Sequence, residues 1–419
     1  MTRAGMNEGQ TASPAVPAMN ERRAEQSVDQ PSITIPFPNG LARVVSLTEV
    51  QRLSKWQEAF AGKCKDYRYY EIVDETLESK FQHRYLVLED KAGHVRAIQP
   101  VFLLDQNLVD GIPALKSVVQ RIQQRFPRFL TLRVLMVGNV AGEGHLSVPS
   151  PEDQAWLVSA LGAILKTYAK LAGASLIVFK DFPAKYRYVL HNLRSNKYTR
   201  VPSMPMTELQ LPYSEFEDYL KTLGASTRKD LRRKFRKIAK APPIELEVMT
   251  DLAPVVEEVY PLYLQVHERS PLKFERLTKE YLIRLGQRMP DRVRFFIWRQ
   301  NGRAIAFSIT HVHDGTIYDD YLGLDYGVAL DLHLYFYTLR DIIGWSLEQG
   351  LERYRSSPLN YRPKLHLGCD LFPLDLYVMH TASWLNPVIS QTLRFLEPTR
   401  HDPVLKHFRN ADELQPDAK

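Results

Sequence analysis

The sequence has few of the features that mark secreted or membrane-spanning proteins. Its 419 residues include only two cysteines, Cys64 and Cys369, which stand far apart and in no spacing typical of metal ligands. Two isolated thiols favour a reducing compartment, because disulfides persist mainly in oxidising ones. No apolar run reaches the roughly 20 residues of a membrane-spanning helix, and no signal-like apolar segment follows the N-terminus. These absences predict a cytoplasmic protein without a transmembrane segment.

Several enzyme motifs are also missing from the sequence. It contains no Gly-x-Ser-x-Gly elbow, no His-Glu-x-x-His zinc motif and no kinase signature. This excludes the common serine hydrolases, zinc proteases and protein kinases. His311 and His313 share one face of a strand-like segment, but no third ligand has suitable spacing for a metal. We therefore expect no metal site and no permanently bound cofactor.

The charge balance indicates an anionic partner. The chain has 55 Lys and Arg against 48 Asp and Glu, which gives a formal net charge of +7 at pH 7. A basic protein of this kind suits a phosphate-bearing small molecule, a nucleic acid or a membrane surface. The length allows two or three domains, each with its own core.

The two ends of the chain differ from its middle. Residues 1–35 have almost no large apolar side chains, and we expect a disordered tail there. Residues 386–419 predict a C-terminal helix followed by a polar tail. The middle of the chain divides into two predicted modules, 36–211 and 212–385.

The first predicted module alternates strands and helices. It contains a helix near 47–60, two strands joined by a turn, a helix over 113–125 and a buried strand. That strand opens into the loop Gly138–Gly144, a position suited either to phosphate binding or to a plain turn. A helix begins at Ser150 and Pro151, since Ser is a favoured N-cap and Pro suits the first helical position.

The second module repeats this order between residues 292 and 368. Asn301-Gly302 predicts a two-residue hairpin turn, and the segment TIYDDYLGL predicts a third strand. A Gly-bearing loop, a helix from about 330 to 349 and a further strand follow. The repeat predicts an α/β protein built from two similar modules, each with a mixed central sheet flanked by helices.

The order of elements, together with Tyr361, Lys364 and Gly368 in a Tyr-x-x-Lys-x-x-x-Gly run, resembles the GNAT acetyltransferase superfamily. The resemblance is to the branch with tandem modules, the Fem-type peptidyl transferases and the related acetyltransferase 6 proteins. It implies an N-acyltransferase that moves an acyl or aminoacyl group from acyl-CoA, or from an aminoacyl-tRNA, to an amine. It also implies a small-molecule or peptide acceptor, with acyl-CoA as co-substrate and tRNA as a possible partner.

The candidate site residues follow from this resemblance and from the titratable groups near the third strand. Strand alternation places Asp320 on one face and Asp319 with Tyr321 on the other. Amine acylation needs a base, and a fixed cation can stabilise developing negative charge. The catalytic candidates are Asp320, Tyr321, His311 and Lys364. The candidates for binding the acyl-CoA donor are Gly323, Asp325, Gly327, Tyr361 and Lys364.

A basic helix is predicted over residues 226–240. Its stretch Arg228–Lys240 holds eight basic residues and one acid, and apolar residues recur along one face. The basic face is either an ordinary solvated surface or a substrate-binding one formed by Arg228, Arg232, Arg233 and Arg236. The alternative function is therefore a non-catalytic protein that binds RNA or a membrane surface through this helix.

Overall fold

One mixed sheet runs through the protein. The computed structural model describes residues 33–77, 79–107, 121–122, 124–125, 131–270 and 273–415. Its strands are β1 (Ile33–Phe37), β2 (Gly40–Val45), β3 (Gln82–Asp90), β4 (Val95–Asn107), β5 (Thr131–Val137), β6 (Leu176–Pro183), β7 (Thr199–Gln210), β8 (Ile244–Met249), β9 (Val293–Gln300), β10 (Arg303–His313), β11 (Thr316–Leu324), β12 (Arg353–Ser356) and β13 (Asp370–His380). These 13 strands pair in the order β1-β2-β3-β4-β5-β6-β13-β7-β12-β11-β10-β9-β8.

Helices lie against this sheet and at its ends. They are α1 (Leu47–Val50), α2 (Ser54–Gln57), α3 (Tyr67–Thr76), α4 (Pro151–Leu171), α5 (Arg187–Leu190), α6 (Phe216–Thr222), α7 (Ala225–Ile238), α8 (Val256–Arg269), α9 (Lys279–Arg288), α10 (Leu334–Glu348), α11 (Tyr361–His366) and α12 (Asn386–Leu396). The predicted tail over 1–35 and most of the predicted helix over 113–125 lie outside the described residues. The first strand begins at Ile33, which lies inside the predicted tail, so the sheet starts two residues before the predicted end of the tail.

The hairpin of the second module forms as its sequence predicts. Asn301 and Gly302 have φ values of 52° and 78°, the left-handed conformation that a two-residue hairpin turn requires. β9 pairs antiparallel with β10, and β10 pairs antiparallel with β11. The helix after β11 begins at Leu334, later than predicted, because residues 325–333 form turns in which the carbonyl of Asp325 accepts the amides of Val328 and Ala329.

The same order of pairings occurs in the first part of the chain. β3 and β4 are antiparallel, as are β4 and β5, whereas β5 and β6 are parallel and joined through α4. In the second part, β11 and β12 are likewise parallel and joined through α10. The predicted repeat of architecture, a tandem α/β fold, is therefore confirmed.

The two repeats exchange their last strands. β6 is followed along the chain by β7, but the neighbour of β6 in the sheet is β13. β7 instead pairs with β12, where Gln210 faces Arg353. β7 and β13 also pair with each other, so the two repeats merge into one continuous sheet. The module boundary near residue 211 stays a prediction, because β7 belongs to the first repeat by sequence and to the second by pairing.

Both faces of the sheet are covered around β11. On one face, α3, α8 and α9 pack together, with Tyr69 and Tyr281 fully buried. On the other face, α10 packs through Leu339 and Ile342 against Trp298. The charged residues of β11 are therefore enclosed on both sides by apolar layers, where an unpaired charge would be costly.

Candidate active site

The parallel strands β11 and β12 pair at one end and then separate. Their ladder joins Thr316–Asp319 to Arg353–Ser356, and the amide of Ser357 donates a last bond to the carbonyl of Asp319 at 3.0 Å. β11 then continues to Leu324. Within the described residues, the segment of β11 from residue 320 to 324 has no partner strand on the β12 side. We call this place the strand divergence.

A β-bulge lies at the strand divergence. Thr310 of β10 faces Asp319, and Ile309 faces Tyr321, so Asp320 is the extra residue of β11. The bulge breaks the alternation of side chains. Tyr321 packs into the cluster that contains Tyr69 and Tyr281, on the same face of the sheet as Asp320. The expectation that Tyr321 shares a face with Asp319 is therefore wrong. It assumed regular alternation along the strand, and the alternation pattern of a sequence does not reveal a bulge.

Asp319 occupies the face covered by α10. Its carboxylate accepts hydrogen bonds from the Ser308 hydroxyl at 2.5 Å and the Tyr354 hydroxyl at 2.7 Å. Burial raises the pKa of Asp319 above its usual value, although these two hydroxyls and the nearby Lys364 oppose the effect. Asp319 is thus a buried carboxyl group held in one orientation beside the strand divergence.

Lys364 is buried near Asp319 instead of lying on the surface. Only 2% of the residue is exposed, and its ammonium donates to the carbonyls of Ser357 and, at 2.8 Å, Leu359. Leu359 and Asn360 both have left-handed backbone, with φ of 72° and 51°, in the turn that leads from β12 to α11. Burial lowers the pKa of Lys364 to about 8, with Asp319 opposing the shift. A lysine of this kind can change protonation state near neutral pH.

Asp320 occupies the opposite face, next to residues from the first part of the chain. Its Oδ2 lies 3.0 Å from Lys65 Nζ and 2.9 Å from His311 Nδ1. Burial alone would raise the pKa of Asp320, but Lys65 and His311 hold that pKa below its usual value. Asp320 therefore remains a carboxylate in a buried position. We call Lys65, Glu143, His145, His311 and Asp320 the buried ion cluster.

Lys65 connects the two repeats within this cluster. Its ammonium also lies 3.7 Å from Glu143 Oε2, and the residue is 2% exposed. Burial alone would lower the pKa of Lys65, but Asp320 and Glu143 raise it above the usual range. A Cβ atom at Gly142 would collide with this ammonium, and Gly142 has φ of 123°. The loop Gly138–Gly144 therefore packs around a lysine, which leaves no open phosphate cradle at that point.

The rest of the cluster is bordered by aromatic side chains. His145 Nε2 lies 3.3 Å from Glu143 Oε1, and His145 Nδ1 lies 3.2 Å from the Tyr186 hydroxyl. The Lys65 ammonium lies 5.2 Å from the centre of the Tyr69 ring. His311 Nε2 has no hydrogen-bond partner among the described residues, although the ring is fully buried. An imidazole nitrogen without a partner is able to accept a proton from a bound group.

The hydroxyl of Tyr321 already has a partner. It donates to Glu275 Oε1 at 2.6 Å, on the face that α8 and α9 cover. The structure therefore brings His311, Asp320 and Tyr321 to one face and Lys364 to the other. Their catalytic roles stay predictions.

The residues expected to hold the donor lie at the end of β11, in the loop that follows it and in α11. The amide of Gly327 donates to Asp325 Oδ1 at 2.9 Å, and Asp325 Oδ2 accepts from Arg303 at 3.1 Å. At Gly323 a Cβ atom would collide with the ring of Phe307. The Gly327 amide, one of the groups that would bind a phosphate, thus already has a hydrogen-bond partner. The assignment of this loop to donor binding stays a prediction.

Tyr361 is buried at the start of α11. Its hydroxyl donates to the carbonyl of Pro205 in β7 at 2.8 Å, and its ring packs 6.2 Å from that of Phe408. These contacts fix the helix that carries Lys364 to the strand exchanged from the first repeat. Its role in donor binding also stays a prediction.

The basic helix forms over Ala225–Ile238 with the predicted apolar face. Leu231 and Ile238 are buried. Several of its cations have acidic partners, since Arg232 pairs with Glu217 and both Arg233 and Lys234 pair with Asp230. Part of the predicted charge excess is thus neutralised within the helix region.

Sequence reasoning missed five residues that the structure places at the site. They are Lys65, Glu143, His145, Ser308 and Tyr354. Lys65 lies in a polar stretch without periodicity, so nothing local distinguishes it from a surface lysine. Glu143 lies in the loop Gly138–Gly144, whose glycines suggested phosphate binding, and His145 directly follows this loop. Two titratable residues shortly after the end of a buried strand could have indicated that this loop contributes to the site.

Metal-binding clusters and membrane-spanning helices are both absent from the part of the chain that the structure describes. No group of three or more His, Cys, Asp or Glu side chains in that part is arranged to hold a metal ion. Among the same residues, no helix is both long and apolar enough to cross a membrane.

Comparisons with known proteins agree with this geometry. Residues 225–362 match the family described as acetyltransferase (GNAT) domain, a stretch that includes the strand divergence. The structure of FemX aligns over 83% of this chain and 99% of its own, with 9% identity and a TM-score of 0.50. No curated protein sequence matches the chain.

Two further structures align less closely. A tandem GNAT protein from the clavulanic acid biosynthesis pathway has 10% identity and a TM-score of 0.43, with coverage of 81% of this chain and 99% of that one. N-myristoyltransferase of Saccharomyces cerevisiae, with bound myristoyl-CoA, has 10% identity and a TM-score of 0.42, with coverage of 90% and 85%. Similarities at this level carry no argument about function. Residues 225–362 therefore match a GNAT acetyltransferase domain, and the fold over most of the chain is similar to that of FemX.

Proposed function

We propose that the protein is an N-acyltransferase that takes its acyl group from a CoA thioester bound at the strand divergence and transfers it to an amine. The observation that carries the proposal is the separation of β11 from β12 after Asp319, inside the stretch that matches the GNAT domain. A strand edge without a partner strand offers backbone amides in a buried setting. Such donors can polarise a thioester carbonyl and stabilise the oxyanion that forms on it.

The reaction needs one bond to form and one to break. The neutral amine attacks the carbonyl carbon and forms the C–N bond, the C–S bond then breaks, and the amine proton leaves for a base. The thiolate takes up a proton and departs as the free thiol. Most of the acceleration comes from holding donor and acceptor in line, because positioning alone removes a large entropic barrier.

The buried ion cluster supplies the base. Asp320 stays ionised beside Lys65, so it can orient His311 and stabilise the imidazolium ion. His311 Nε2, which has no protein partner in the described residues, takes the proton from the acceptor amine. The acceptor therefore approaches from the face that both repeats form, where Lys65 of the first meets Asp320 of the second.

Lys364 acts from the opposite face. Its amine, with the pKa lowered to about 8, lies beside the end of β12 and supplies positive charge near the developing oxyanion or the leaving thiolate. A role in the transition state predicts a lower kcat for Lys364→Met, by about 10²–10³-fold. A role in binding a donor phosphate predicts instead a higher KM for the donor with kcat unchanged.

The test is a steady-state assay of the purified chain with acetyl-CoA and longer acyl-CoA thioesters. Thiol release is followed while a panel of small amines and peptides is supplied as acceptors. Amine-dependent thiol release, reduced in Lys364→Met and unchanged in the tail variant Lys406→Met, supports the proposal. Transfer from aminoacyl-tRNA without any transfer from CoA thioesters would overturn the assignment of the donor.

A further inference from the structure

A groove opens beside the basic helix α7, where this helix meets α6 and α10. Its volume is about 720 Å³, which falls within the roughly 300–1,000 Å³ of small-molecule sites. Its lining residues are Phe216, Glu217, Leu220, Ala225, Arg228, Lys229, Arg232, Phe235, Arg236, Ala239 and Arg340. The groove thus has an apolar wall and a strongly basic rim.

The charge in the groove is unbalanced. Arg228, Arg232 and Arg236 recur every fourth residue and so share one side of α7, and Lys229 and Arg340 also line the groove. Glu217 is the single acid among the lining residues, and its carboxylate pairs with Arg232. Arg340 pairs with Asp341, so among the described residues Arg228, Lys229 and Arg236 are the lining cations without an ion pair, and they can attract a ligand with more than one negative charge.

Two of these cations are held in place by the protein. Arg228 Nη1 donates to the carbonyls of Lys221 at 2.9 Å and Leu223 at 3.1 Å. The guanidinium of Arg340 bonds to Asp341 at 2.8 Å and lies 3.9 Å from the centre of the Tyr337 ring. Because a fixed guanidinium group loses little freedom on binding, Arg228 suits the recognition of phosphate oxygens, whereas Arg340 already donates from Nε and Nη2 to Asp341 and borders the groove.

The apolar wall points to a second part of the ligand. Phe216 and Phe235 lie edge to face with their ring centres 6.2 Å apart, and Leu220 is buried beneath them. Both rings are only partly buried, so a flat apolar group can pack on them. A simple inorganic anion would use the rim and leave this wall without a function.

The apolar wall distinguishes a small ligand from an extended polyanion. Cations are partly neutralised both inside the groove, where Arg232 pairs with Glu217 and Arg340 with Asp341, and outside it, where Arg233 and Lys234 share Asp230. A sugar-phosphate backbone or a layer of lipid headgroups would contact the basic rim and leave the apolar wall without a contact. We propose that the groove binds a small organic pyrophosphate with a flat apolar body, such as a nucleoside diphosphate. This proposal does not depend on the donor site at the strand divergence.

The test is isothermal titration of the intact chain with ADP and with inorganic pyrophosphate. We expect ADP to bind more tightly than pyrophosphate, because only ADP can use the apolar wall. Arg236→Ala should weaken ADP binding by about 10–100-fold, the effect of losing one charge-assisted contact. The matched control Arg233→Ala removes the same charge from the same helix and should change the affinity less than about threefold.

Other outcomes would overturn the proposal. The absence of ADP binding, or equal losses in the two arginine variants, would show that the groove does not recognise a phosphate. Equal affinities for ADP and pyrophosphate would show that the apolar wall does not contact the ligand. Binding to phosphatidylglycerol vesicles without binding of ADP would assign the basic helix to a membrane surface. ADP binding that is lost in Lys364→Met, but kept in Arg236→Ala, would place the ligand at the strand divergence.

Discussion

The ammonium of Lys65 and the carboxylate of Asp320 lie 3.0 Å apart, and both are buried. Lys65 comes from the first repeat, and Asp320 is the bulge residue of β11 in the second. Each also has a contact within its own repeat, since Lys65 lies 3.7 Å from Glu143 and Asp320 lies 2.9 Å from His311. The ion pair therefore links the assembly of the repeats to the geometry of the strand divergence.

Replacement of Lys65 should strongly destabilise the protein. Lys65→Met leaves Asp320 and Glu143 buried without their shared cation, and breaking a buried pair in this way costs about 3–5 kcal/mol. We expect this loss in the free energy of unfolding, measured by urea denaturation at pH 7. The control is Lys55→Met, since Lys55 pairs with Glu58 at the surface and such pairs contribute about 1 kcal/mol or less. Equal stabilities of the two variants would contradict the account of the cluster.

Gly142 should tolerate no side chain, because the Lys65 ammonium occupies the space that a Cβ atom would take. Gly142→Ala is expected to lower the melting temperature more than Gly93→Ala. Gly93 also has positive φ, at 85°, but no atom lies within 4 Å of the position that its Cβ atom would take. Both variants carry the backbone strain of a side chain at positive φ, about 1–2 kcal/mol, so the difference between them reports the contact with Lys65. Equal melting temperatures would mean that Lys65 moves freely.

Local sequence predicted much of the second repeat. The Asn301-Gly302 turn and the strand Thr316–Leu324 form as expected, since turn chemistry and short-range patterning determine both. The helix Tyr67–Thr76 was missed, because its tyrosines and β-branched residues are weak helix formers and tertiary packing of its apolar face decides the structure. The exchange of β7 and β13 is a long-range pairing that no local pattern encodes.

The site was predictable only where its residues lie within one motif. Lys364 was identified through the Tyr-x-x-Lys-x-x-x-Gly run, but its burial and lowered pKa depend on the carbonyls around it. Asp320 was identified as one of the titratable groups near the third strand. Its partner Lys65 is 255 positions away, and only the packing of the two repeats brings the charges together.

Stability should depend on pH through Lys364. The pKa of its amine is about 8 in the folded protein and near 10.5 in the unfolded chain. Between these values the unfolded chain binds more protons, so the free energy of unfolding rises with pH, by at most about 1.4 kcal/mol per pH unit. Below pH 8 both states hold the proton and the contribution is constant.

The measurement is urea denaturation of wild type and Lys364→Met from pH 7 to 10. The stability of the wild type relative to the variant should increase across this window. Lys406→Met, in the C-terminal segment, controls for the general effect of losing a lysine. A flat difference between wild type and Lys364→Met would show that the amine of Lys364 keeps its ordinary pKa.

His311 should be needed for turnover and not only for folding. We expect His311→Gln to lower kcat by about 10²–10⁴-fold, the usual effect of removing a general base. His313→Gln, two residues along the same strand, is the control and should keep nearly full activity. If His311→Gln keeps the kcat of the wild type and only lowers the melting temperature, the role of His311 is structural.

Hydrogen–deuterium exchange of the intact chain with and without acetyl-CoA tests the central claim most directly. A thioester at the strand divergence covers the open edge of β11, so peptides over residues 320–324 and 357–364 should exchange more slowly when the donor is bound. Peptides over β1 to β3 should be unaffected. Protection confined to residues 216–240, or no protection of β11 at a saturating concentration of acetyl-CoA, would contradict the placement of the donor.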